Sequence, residues 1–270
     1  MIPKTPPTAL TIAGSDSGGG AGIQADLRTF FANGVHGLVA LTAVTVQNSL
    51  GVPGFTEIPA DVVTAQIKAV ATDMGVNAAK TGMLATAEII RAVAKTLDEL
   101  GMDFPLVVDP VAASMTGHAL LREDALEAIR TELFPRATLI TPNLDEVRLL
   151  TGISVVSPAT QREAAEALLD FGSRWVLVKG GHMQGTTDCV DLLSDGSSFL
   201  SLSGPRYQTE NTHGGGDTLA SAITASLAKG ASMPDAVAAG KRFIERCVAE
   251  SDPLGAGVGP VSPFWALGSS

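Results

Sequence analysis

The sequence predicts an α/β fold, in which a central, mostly parallel β-sheet is flanked by α-helices on both faces. Short apolar runs bounded by turn residues alternate with helical patterns along the chain, and this alternation is typical of crossover units. The chain is 45% hydrophobic but only 4% aromatic, and parallel sheets buried on both faces use mainly branched aliphatic residues. At 270 residues, we expect a single domain over 1–270, with a short extension at 1–8 and a tail at 265–270.

Five apolar runs predict the parallel strands, at residues 10–13, 38–46, 106–108, 138–140 and 175–178. Helices are indicated between them by apolar residues at spacings of three and four. One such set comprises Val63, Ile67, Val70 and Met74, and a second comprises Ile90, Val93, Leu97 and Leu100. The alternation of strands and helices predicts crossover connections between parallel strands.

Residues typical of helix ends mark some boundaries. Thr86 precedes the second of these helices and Gly101 follows it, while Asp217 precedes a helix predicted over 218–228, with Gly230 beyond. Apolar runs at 189–193 and 199–202 are separated by a Ser-Asp-Gly-Ser turn. They predict a small antiparallel hairpin at one edge of the sheet.

Composition and charge exclude several classes of partner. A net charge of −10 and a pI near 4.8 argue against nucleic-acid binding, which needs clustered Lys and Arg. Residues 1–8 resemble neither a signal peptide nor a membrane span. Cys189 and Cys247 lie far apart, so we expect no disulfide framework and a reducing, cytoplasmic location.

The segment from Asn211 to Asp217 contains three consecutive glycines, Gly214, Gly215 and Gly216, at a predicted helix start. Free N–H groups and the positive end of the helix dipole there can hold an anion. Asp217 would then accept a proton from a substrate hydroxyl as its oxygen attacks a phosphoryl group. The alternative is that Asp217 only caps the helix.

Other polar residues follow predicted strands, where α/β sheets form their ligand crevices. Asp109 lies at the end of one strand and Lys179 directly after another. Asn143 and Glu146 would meet on one helical turn and orient a water bound to Mg²⁺. The alternatives are ordinary turn residues and a solvated lysine.

Common nucleotide motifs are absent: there is no G-x-x-x-x-G-K-[ST], and the glycines at 18–22 do not fit G-x-G-x-x-G. The segment Ala13-Gly-Ser-Asp-Ser-Gly-Gly-Gly-Ala-Gly-Ile-Gln-Ala-Asp26 is the most specific in the chain. Further ordered blocks occur at 42–48, 80–84, 108–111, 141–146, 178–182, 211–214 and 253–261. Together these blocks closely resemble the hydroxymethylpyrimidine and phosphomethylpyrimidine kinase family of thiamine biosynthesis, within the ribokinase superfamily.

This resemblance implies a ribokinase-like domain that uses ATP and Mg²⁺. Its members phosphorylate the hydroxymethyl group of the pyrimidine and then extend the phosphate to a diphosphate. The superfamily often forms dimers, which implies a homodimer. Neither nucleic acid nor a membrane is implied as a partner.

The resemblance also implies roles for individual residues. Asp26 and Gln47 would hydrogen-bond the aminopyrimidine edge, Met83 and Val44 would pack on its ring, and Gly14 and Ala21 would line the pocket. The alternatives are core packing for Met83 and Val44 and a solvated carboxylate for Asp26. ATP and its phosphates are assigned to Asp109, Asn143, Glu146, Lys179 and Thr212, with Mg²⁺ near Asp109 and Glu146.

Two departures from the family pattern affect the interpretation. Asp217 stands where most compared members carry Cys, which favours its role as base because Asp is ionised at neutral pH. Residues 112–118 lack a possible cation, which His118 could partly replace; the alternative is that His118 is an ordinary surface histidine. A pyridoxal kinase on the same scaffold is the nearest alternative, and a non-catalytic pyrimidine- or nucleotide-binding regulator is a third.

Overall fold

The computed structural model describes residues 5–111, 123–181, 183, 188–251 and 253–268. The segment 112–118, including His118, lies outside the described residues, and so does His182.

An eight-stranded sheet forms the centre of the protein, in the order β10-β9-β8-β7-β6-β5-β1-β2. Strands β2, β1, β5, β6, β7 and β8 run parallel, and β9 and β10 add an antiparallel edge. The strands are β1 (Thr8–Ala13), β2 (His36–Leu41), β5 (Ala78–Thr81), β6 (Leu106–Val108), β7 (Leu139–Ile140), β8 (Trp175–Val178), β9 (Asp188–Ser194) and β10 (Phe199–Pro205). The predicted α/β class and edge hairpin are confirmed.

Helices cover both faces of this sheet. They are α1 (Gly22–Ala32), α2 (Ala60–Asp73), α3 (Ala87–Glu99), α4 (Glu123–Ala128), α5 (Leu144–Thr151), α6 (Pro158–Leu169), α7 (Gly215–Ala228) and α8 (Met233–Ala249), with short π and 3₁₀ turns at Ile129–Leu133, Phe134–Arg136 and Phe264–Leu267. Across the described residues, no helix combines the length and apolar character needed to cross a membrane.

Strand alternation divides the core into two layers, because successive side chains point to opposite faces of a sheet. Leu10 and Ile12 of β1 belong to the layer that packs against α2, α3 and α6. Ala9 of β1 and Ala78 of β5 belong to the layer beneath α7 and α8. On β5, Lys80 therefore faces the same side as Ala78, toward α7.

Side-chain caps fix two helices whose starts the sequence indicates. Thr86 accepts a hydrogen bond from the backbone N–H of Ile89 at 3.2 Å and begins α3 as predicted. Asn143 and Glu146 form a capping box at the start of α5, in which each side chain accepts from the other residue's backbone N–H. The two residues meet on one helical turn, as predicted, and there they cap the helix. Their predicted role in orienting a water bound to Mg²⁺ stays a prediction.

The single strand predicted over 38–46 is wrong, because the chain leaves the main sheet at Thr42. The Thr42 hydroxyl donates to the Met83 carbonyl oxygen, and its backbone pairs with Ala13 and Ile58. Beyond it, β3 (Ala43–Asn48) pairs antiparallel with β4 (Gly51–Glu57) as a separate two-stranded sheet. Mostly apolar residues continue from β2 into β3, so the hydrophobic pattern does not indicate where one strand ends and the next begins.

The predicted start of the helix at residue 218 is also wrong. Helix α7 begins at Gly215, its N-cap is Gly214, and Asp217 lies within the first turn. The glycine run had been expected to form the loop before the helix, but Gly215 and Gly216 adopt helical backbone conformations.

Close packing of α8 on α7 predicts a stability effect at Gly240. A β-carbon added there would lie 2.6 Å from Ile223 Cγ1 and 3.3 Å from its backbone nitrogen. Because overpacking a core contact is destabilising, we expect Gly240→Ala to lower the free energy of unfolding by about 1–3 kcal/mol. Urea denaturation followed by circular dichroism measures this change.

The matched control is Gly54→Ala on β4, where an added β-carbon meets no atom within 4 Å. Its free energy of unfolding should change by no more than about 0.5 kcal/mol. Equal losses in the two variants would show that contact between α7 and α8 is not the cause.

Candidate active site

The carboxyl ends of the parallel strands meet the start of α7, and the predicted site residues gather there. Asp109 follows β6, Lys179 follows β8 and Met83 lies two residues after β5. A β-carbon on Gly216 would lie 3.4 Å from Lys179 Nζ and 3.5 Å from Asp109 Oδ2. The edge of the sheet predicted for the crevice is therefore the one that α7 faces.

Helix α7 starts at a point fixed by two glycines. Gly214 has a φ of +74°, a left-handed conformation that favours glycine. A β-carbon on Gly214 would also overlap the carbonyl oxygen of Gly20. The glycine-rich loop that follows β1 thus packs directly against the start of α7.

Three backbone N–H groups at this start are free to bind a ligand. The amide of Gly215 donates to the Thr212 carbonyl at 3.1 Å, whereas those of Gly214, Gly216 and Asp217 have no acceptor within the described part of the chain. Unpaired amides at a helix N-terminus attract anions. The geometry supports an anion hole made of these three amides, while the Thr212 carbonyl occupies the amide of Gly215.

Asp217 does not cap α7, because no side-chain hydrogen bond caps this helix. Its carboxylate Oδ1 lies 3.4 Å from Lys80 Nζ, and 16% of its side chain is exposed. It therefore combines access to the crevice with a neighbouring positive charge. The helix-cap interpretation of Asp217 is wrong.

Lys179 and Asp109 form an ion pair beside the anion hole. Lys179 Nζ donates to Asp109 Oδ1 at 3.0 Å, and the Thr141 hydroxyl donates to the same oxygen at 3.0 Å. Burial acts to lower the pKa of Lys179, but the charges of Asp109, Glu146 and Asp217 outweigh it and raise the pKa. Lys179 is thus a fixed cation beside the first turn of α7 and not a solvated strand-end lysine.

Asn143 and Glu146 occupy the next corner of the crevice. The Asn143 side chain accepts from the backbone N–H groups of Asp145 and Glu146, each at 2.9 Å. Glu146 Oε2 accepts from the Asn143 amide at 2.7 Å, and this carboxylate is buried near Lys179. Glu146 and Asp109 therefore both act on Lys179. A contact of Glu146 with phosphates or Mg²⁺ stays a prediction.

The loop after β1 is organised around Asp16. Its carboxylate accepts from the amides of Gly18, Gly20 and Ala21 at 2.7 to 2.9 Å and lies 2.8 Å from His213 Nε2. Burial acts to raise the pKa of Asp16, but the hydrogen bonds from His213 and the backbone hold it below its usual value. Asp16 joins this loop to the segment that precedes α7.

The predicted pocket residues are brought together in part. A β-carbon on Gly14 would lie 3.5 Å from Met83 Sδ, and Met83 packs with Ala43. Gln47 Nε2 lies 3.3 Å from His213 Nε2, beside Asp16.

Ala21 and Val44 occupy two further positions. Ala21 is the N-cap of α1. Val44 follows Ala43 on β3 and is 47% exposed, so alternation along the strand points it away from Met83. A contact of Val44 with the substrate ring stays a prediction.

Asp26 differs most from expectation, because its side chain has no exposed surface. Oδ2 accepts from the Thr11 hydroxyl at 2.6 Å, and Oδ1 accepts from Lys80 Nζ at 2.9 Å and the Ser221 hydroxyl at 2.5 Å. The solvated-carboxylate interpretation is wrong. A direct hydrogen bond to a substrate would require one of these buried bonds to break.

Sequence reasoning missed Asp16, Lys80 and His213 as individual site residues. A signal existed for Lys80, since an ammonium group in the short apolar strand Ala-Ala-Lys-Thr must find partners when buried. His213 and Asp16 are 197 residues apart. No local pattern indicates their pairing.

No group of three or more His, Cys, Asp or Glu side chains in the described ranges is arranged to hold a metal ion by itself. Mg²⁺ in kinases is commonly held by one or two carboxylates together with substrate phosphates. Asp109 fits this use, since Oδ1 takes both described hydrogen bonds while Oδ2 faces Gly216.

Comparison with known proteins identifies the family of this chain. The family described as Phosphomethylpyrimidine kinase matches residues 16–262. A hydroxymethylpyrimidine/phosphomethylpyrimidine kinase from Mycobacterium leprae is 57% identical over 265 residues, covering 97% of this chain and 95% of the relative.

Two solved structures are similar to this fold over most of the chain. Bacillus subtilis pyridoxal kinase in complex with ADP has a TM-score of 0.89 and 39% identity, covering 97% of this chain and 99% of that one. Phosphomethylpyrimidine kinase from Clostridium difficile has a TM-score of 0.78 and 39% identity, covering 88% and 97%. Given the match along nearly its full length, the chain belongs to the phosphomethylpyrimidine kinase family.

Proposed function

We propose that this protein transfers the γ-phosphoryl group of ATP to the hydroxymethyl group of 4-amino-5-hydroxymethyl-2-methylpyrimidine, and then a second phosphoryl group to the monophosphate. The observation that carries this proposal is the start of α7, where the free amides of Gly214, Gly216 and Asp217 adjoin the Asp217 carboxylate. Donors for a transferring phosphoryl group and an acceptor for a hydroxyl proton thus share one helical turn.

In the first reaction the amides bind the phosphoryl oxygens while the substrate hydroxyl attacks. Charge that develops on those oxygens is stabilised by fixed N–H dipoles and by the Lys179 ammonium. Asp217 accepts the hydroxyl proton as the new O–P bond forms, and ADP leaves. The products are the phosphate ester, ADP and one proton.

The second reaction places a different demand on the same residues. Its acceptor is a phosphate monoester, whose second pKa is about 6, so at pH 8 the attacking oxygen carries no proton. Asp217 has no proton to accept in this step. The amides and Lys179 are needed in both steps, whereas the base is needed only in the first.

Mg²⁺ fits the residues that follow β6 and begin α5. Asp109 and Glu146 would hold it, directly or through water, together with the nucleotide phosphates. When bound, the ion neutralises negative charge on the phosphates and aligns them for transfer. Lys179, bonded to Asp109, keeps that carboxylate oriented toward Gly216.

The pocket suits a neutral heteroaromatic ring. Gly14, Ala43 and Met83 offer an apolar surface, and Gln47 offers an amide beside it. A small neutral ligand needs apolar faces and a few aligned polar groups. Gln47 and the lining by Gly14, Ala21, Val44 and Met83 remain the proposed contacts.

A cytoplasmic location and a homodimer are also proposed. Both cysteines are free thiols, which supports a reducing cytoplasmic location. A homodimer is proposed because the superfamily often forms dimers.

Pyridoxal kinase activity is the second candidate, favoured by the whole-fold similarity to the Bacillus subtilis enzyme. Pyridoxal also presents a hydroxymethyl group on a six-membered nitrogen heterocycle. The same anion hole and base would serve it.

A steady-state panel with MgATP separates these functions. With hydroxymethylpyrimidine, its monophosphate, pyridoxal and ribose as acceptors, we expect ADP release with the two pyrimidines at the highest kcat/KM. Turnover with pyridoxal alone would overturn the assignment. The absence of acceptor-dependent ADP release from folded protein would favour a non-catalytic regulator.

Replacing Asp217 should slow the reaction with the alcohol much more than the reaction with the monophosphate. We expect Asp217→Asn to lower kcat for hydroxymethylpyrimidine by about 10²-fold or more. For the monophosphate at pH 8 the loss should be less than about 10-fold, because no proton has to be removed. The second reaction is thus an internal control for folding and ATP binding, and an unchanged rate with the alcohol would remove the base assignment.

A methyl group added at Gly216, in the proposed phosphate site, should also lower kinase activity. Gly216→Ala places a methyl group in ordinary contact with Lys179 and Asp109, so the fold should tolerate it. We expect kcat/KM for ATP to fall by about 10²-fold with both acceptors, a loss typical of a displaced phosphate donor. Gly54→Ala controls for the substitution itself, and parental kinetics in Gly216→Ala would contradict phosphate binding at this turn.

A further inference from the structure

Lys80 is an ammonium group with no exposure to solvent. It lies on β5, between β6 and β1 in the sheet, and its side chain is 0% exposed. Removing such a charge from water is costly unless the group is paired and hydrogen-bonded. The residues that surround Lys80 therefore indicate why the fold retains it.

Asp26 is the first partner and is itself held from three elements. Its carboxylate accepts from Lys80 on β5, Thr11 on β1 and Ser221 on α7. Thr11 and Lys80 are directly opposite in the pairing of β1 with β5. Lys80 and Asp26 consequently have little freedom to move.

Asp217 is the second partner, on the crevice side of Lys80. Its Oδ1 lies 3.4 Å from Lys80 Nζ, and it stands one helical turn before Ser221 on α7. Burial acts to lower the pKa of Lys80, but the nearby carboxylates, Asp26 foremost, outweigh it and raise the pKa. Lys80 thus stays charged between a buried carboxylate and one that opens to the crevice.

We propose that Lys80 is a positioning residue, which holds the Asp217 carboxylate toward the substrate hydroxyl and is itself anchored by Asp26. This inference rests on the proposed function, in which Asp217 is the base. It also assigns Asp26 a role other than the expected contact with the pyrimidine. Asp26 acts on the reaction only through Lys80.

A purely structural role would explain only part of this arrangement. The bond from Lys80 to Asp26 is enough to tie β5 to α1 and to neutralise the buried charge. The approach to Asp217 adds nothing to that neutrality. It does place a positive charge beside the Asp217 carboxylate, in the first turn of α7.

The test compares the two phosphoryl acceptors in the full chain. Lys80→Met alone leaves Asp26 as an uncompensated buried charge and is expected to lower the melting temperature. Lys80→Met/Asp26→Asn removes both charges and should melt closer to the parental protein. In this double variant we expect kcat with hydroxymethylpyrimidine to fall by about 10²-fold and kcat with the monophosphate at pH 8 to fall less than about 10-fold.

Two further variants complete the design, and the first is a matched control. Lys241 is also a nearly buried lysine, bonded to Asp191 at 2.8 Å away from α7's first turn, so Lys241→Met should lower stability without changing the ratio of the two rates. Asp26→Asn keeps the ammonium beside Asp217 but removes the charge that anchors it, so the ratio should lie between the parental value and that of the double variant.

The outcomes separate the inference from the proposed function. A folded double variant that loses both reactions equally, or that keeps the parental rate with the alcohol, overturns the role of Lys80. If Asp217→Asn itself keeps the parental rate with the alcohol, the base assignment of the proposed function fails. If Asp217→Asn lowers kcat with the alcohol much more than kcat with the monophosphate, and the double variant does not, only the inference about Lys80 fails.

Discussion

The contact between Gly214 and Gly20 is the constraint on which the rest of the site depends. Gly214 adopts a left-handed backbone conformation against the Gly20 carbonyl, where a side chain has no room. This contact fixes the residue at which α7 begins, while the buried remainder of α7 fixes its direction. The free amides and Asp217 then face the carboxyl ends of the strands without any side-chain cap to hold them there.

We infer that local groups, and not the overall field, bind the anionic nucleotide in a chain with a net charge of −10. Lys80 and Lys179 lie among the carboxylates of Asp26, Asp109 and Asp217, and their ammonium groups keep raised pKa values there. The helix N-terminus adds partial positive charge at the same point. Backbone N–H groups, the Lys179 ammonium and the proposed Mg²⁺ would therefore take the place of the basic surface that the sequence lacks.

The sequence predicted the fold class, the edge hairpin and the gathering of Asp109, Lys179 and Asp217, because strand ends and glycine runs leave local patterns. It did not predict the break at Thr42, since apolar residues continue from β2 into β3. The start of α7 was misplaced because glycine has low helix propensity. The pairings of Asp16 with His213 and of Asp26 with Lys80 join distant residues, and such pairings are visible only once the chain has folded.

A crystal structure of the protein with a non-hydrolysable ATP analogue and hydroxymethylpyrimidine tests the central claim most directly. The account predicts γ-phosphate oxygens about 2.7–3.1 Å from the amide nitrogens of residues 214, 216 and 217. It also predicts the substrate hydroxyl within hydrogen-bond distance of the Asp217 carboxylate. A γ-phosphate bound away from the first turn of α7, or a hydroxyl directed at a different base, would contradict it.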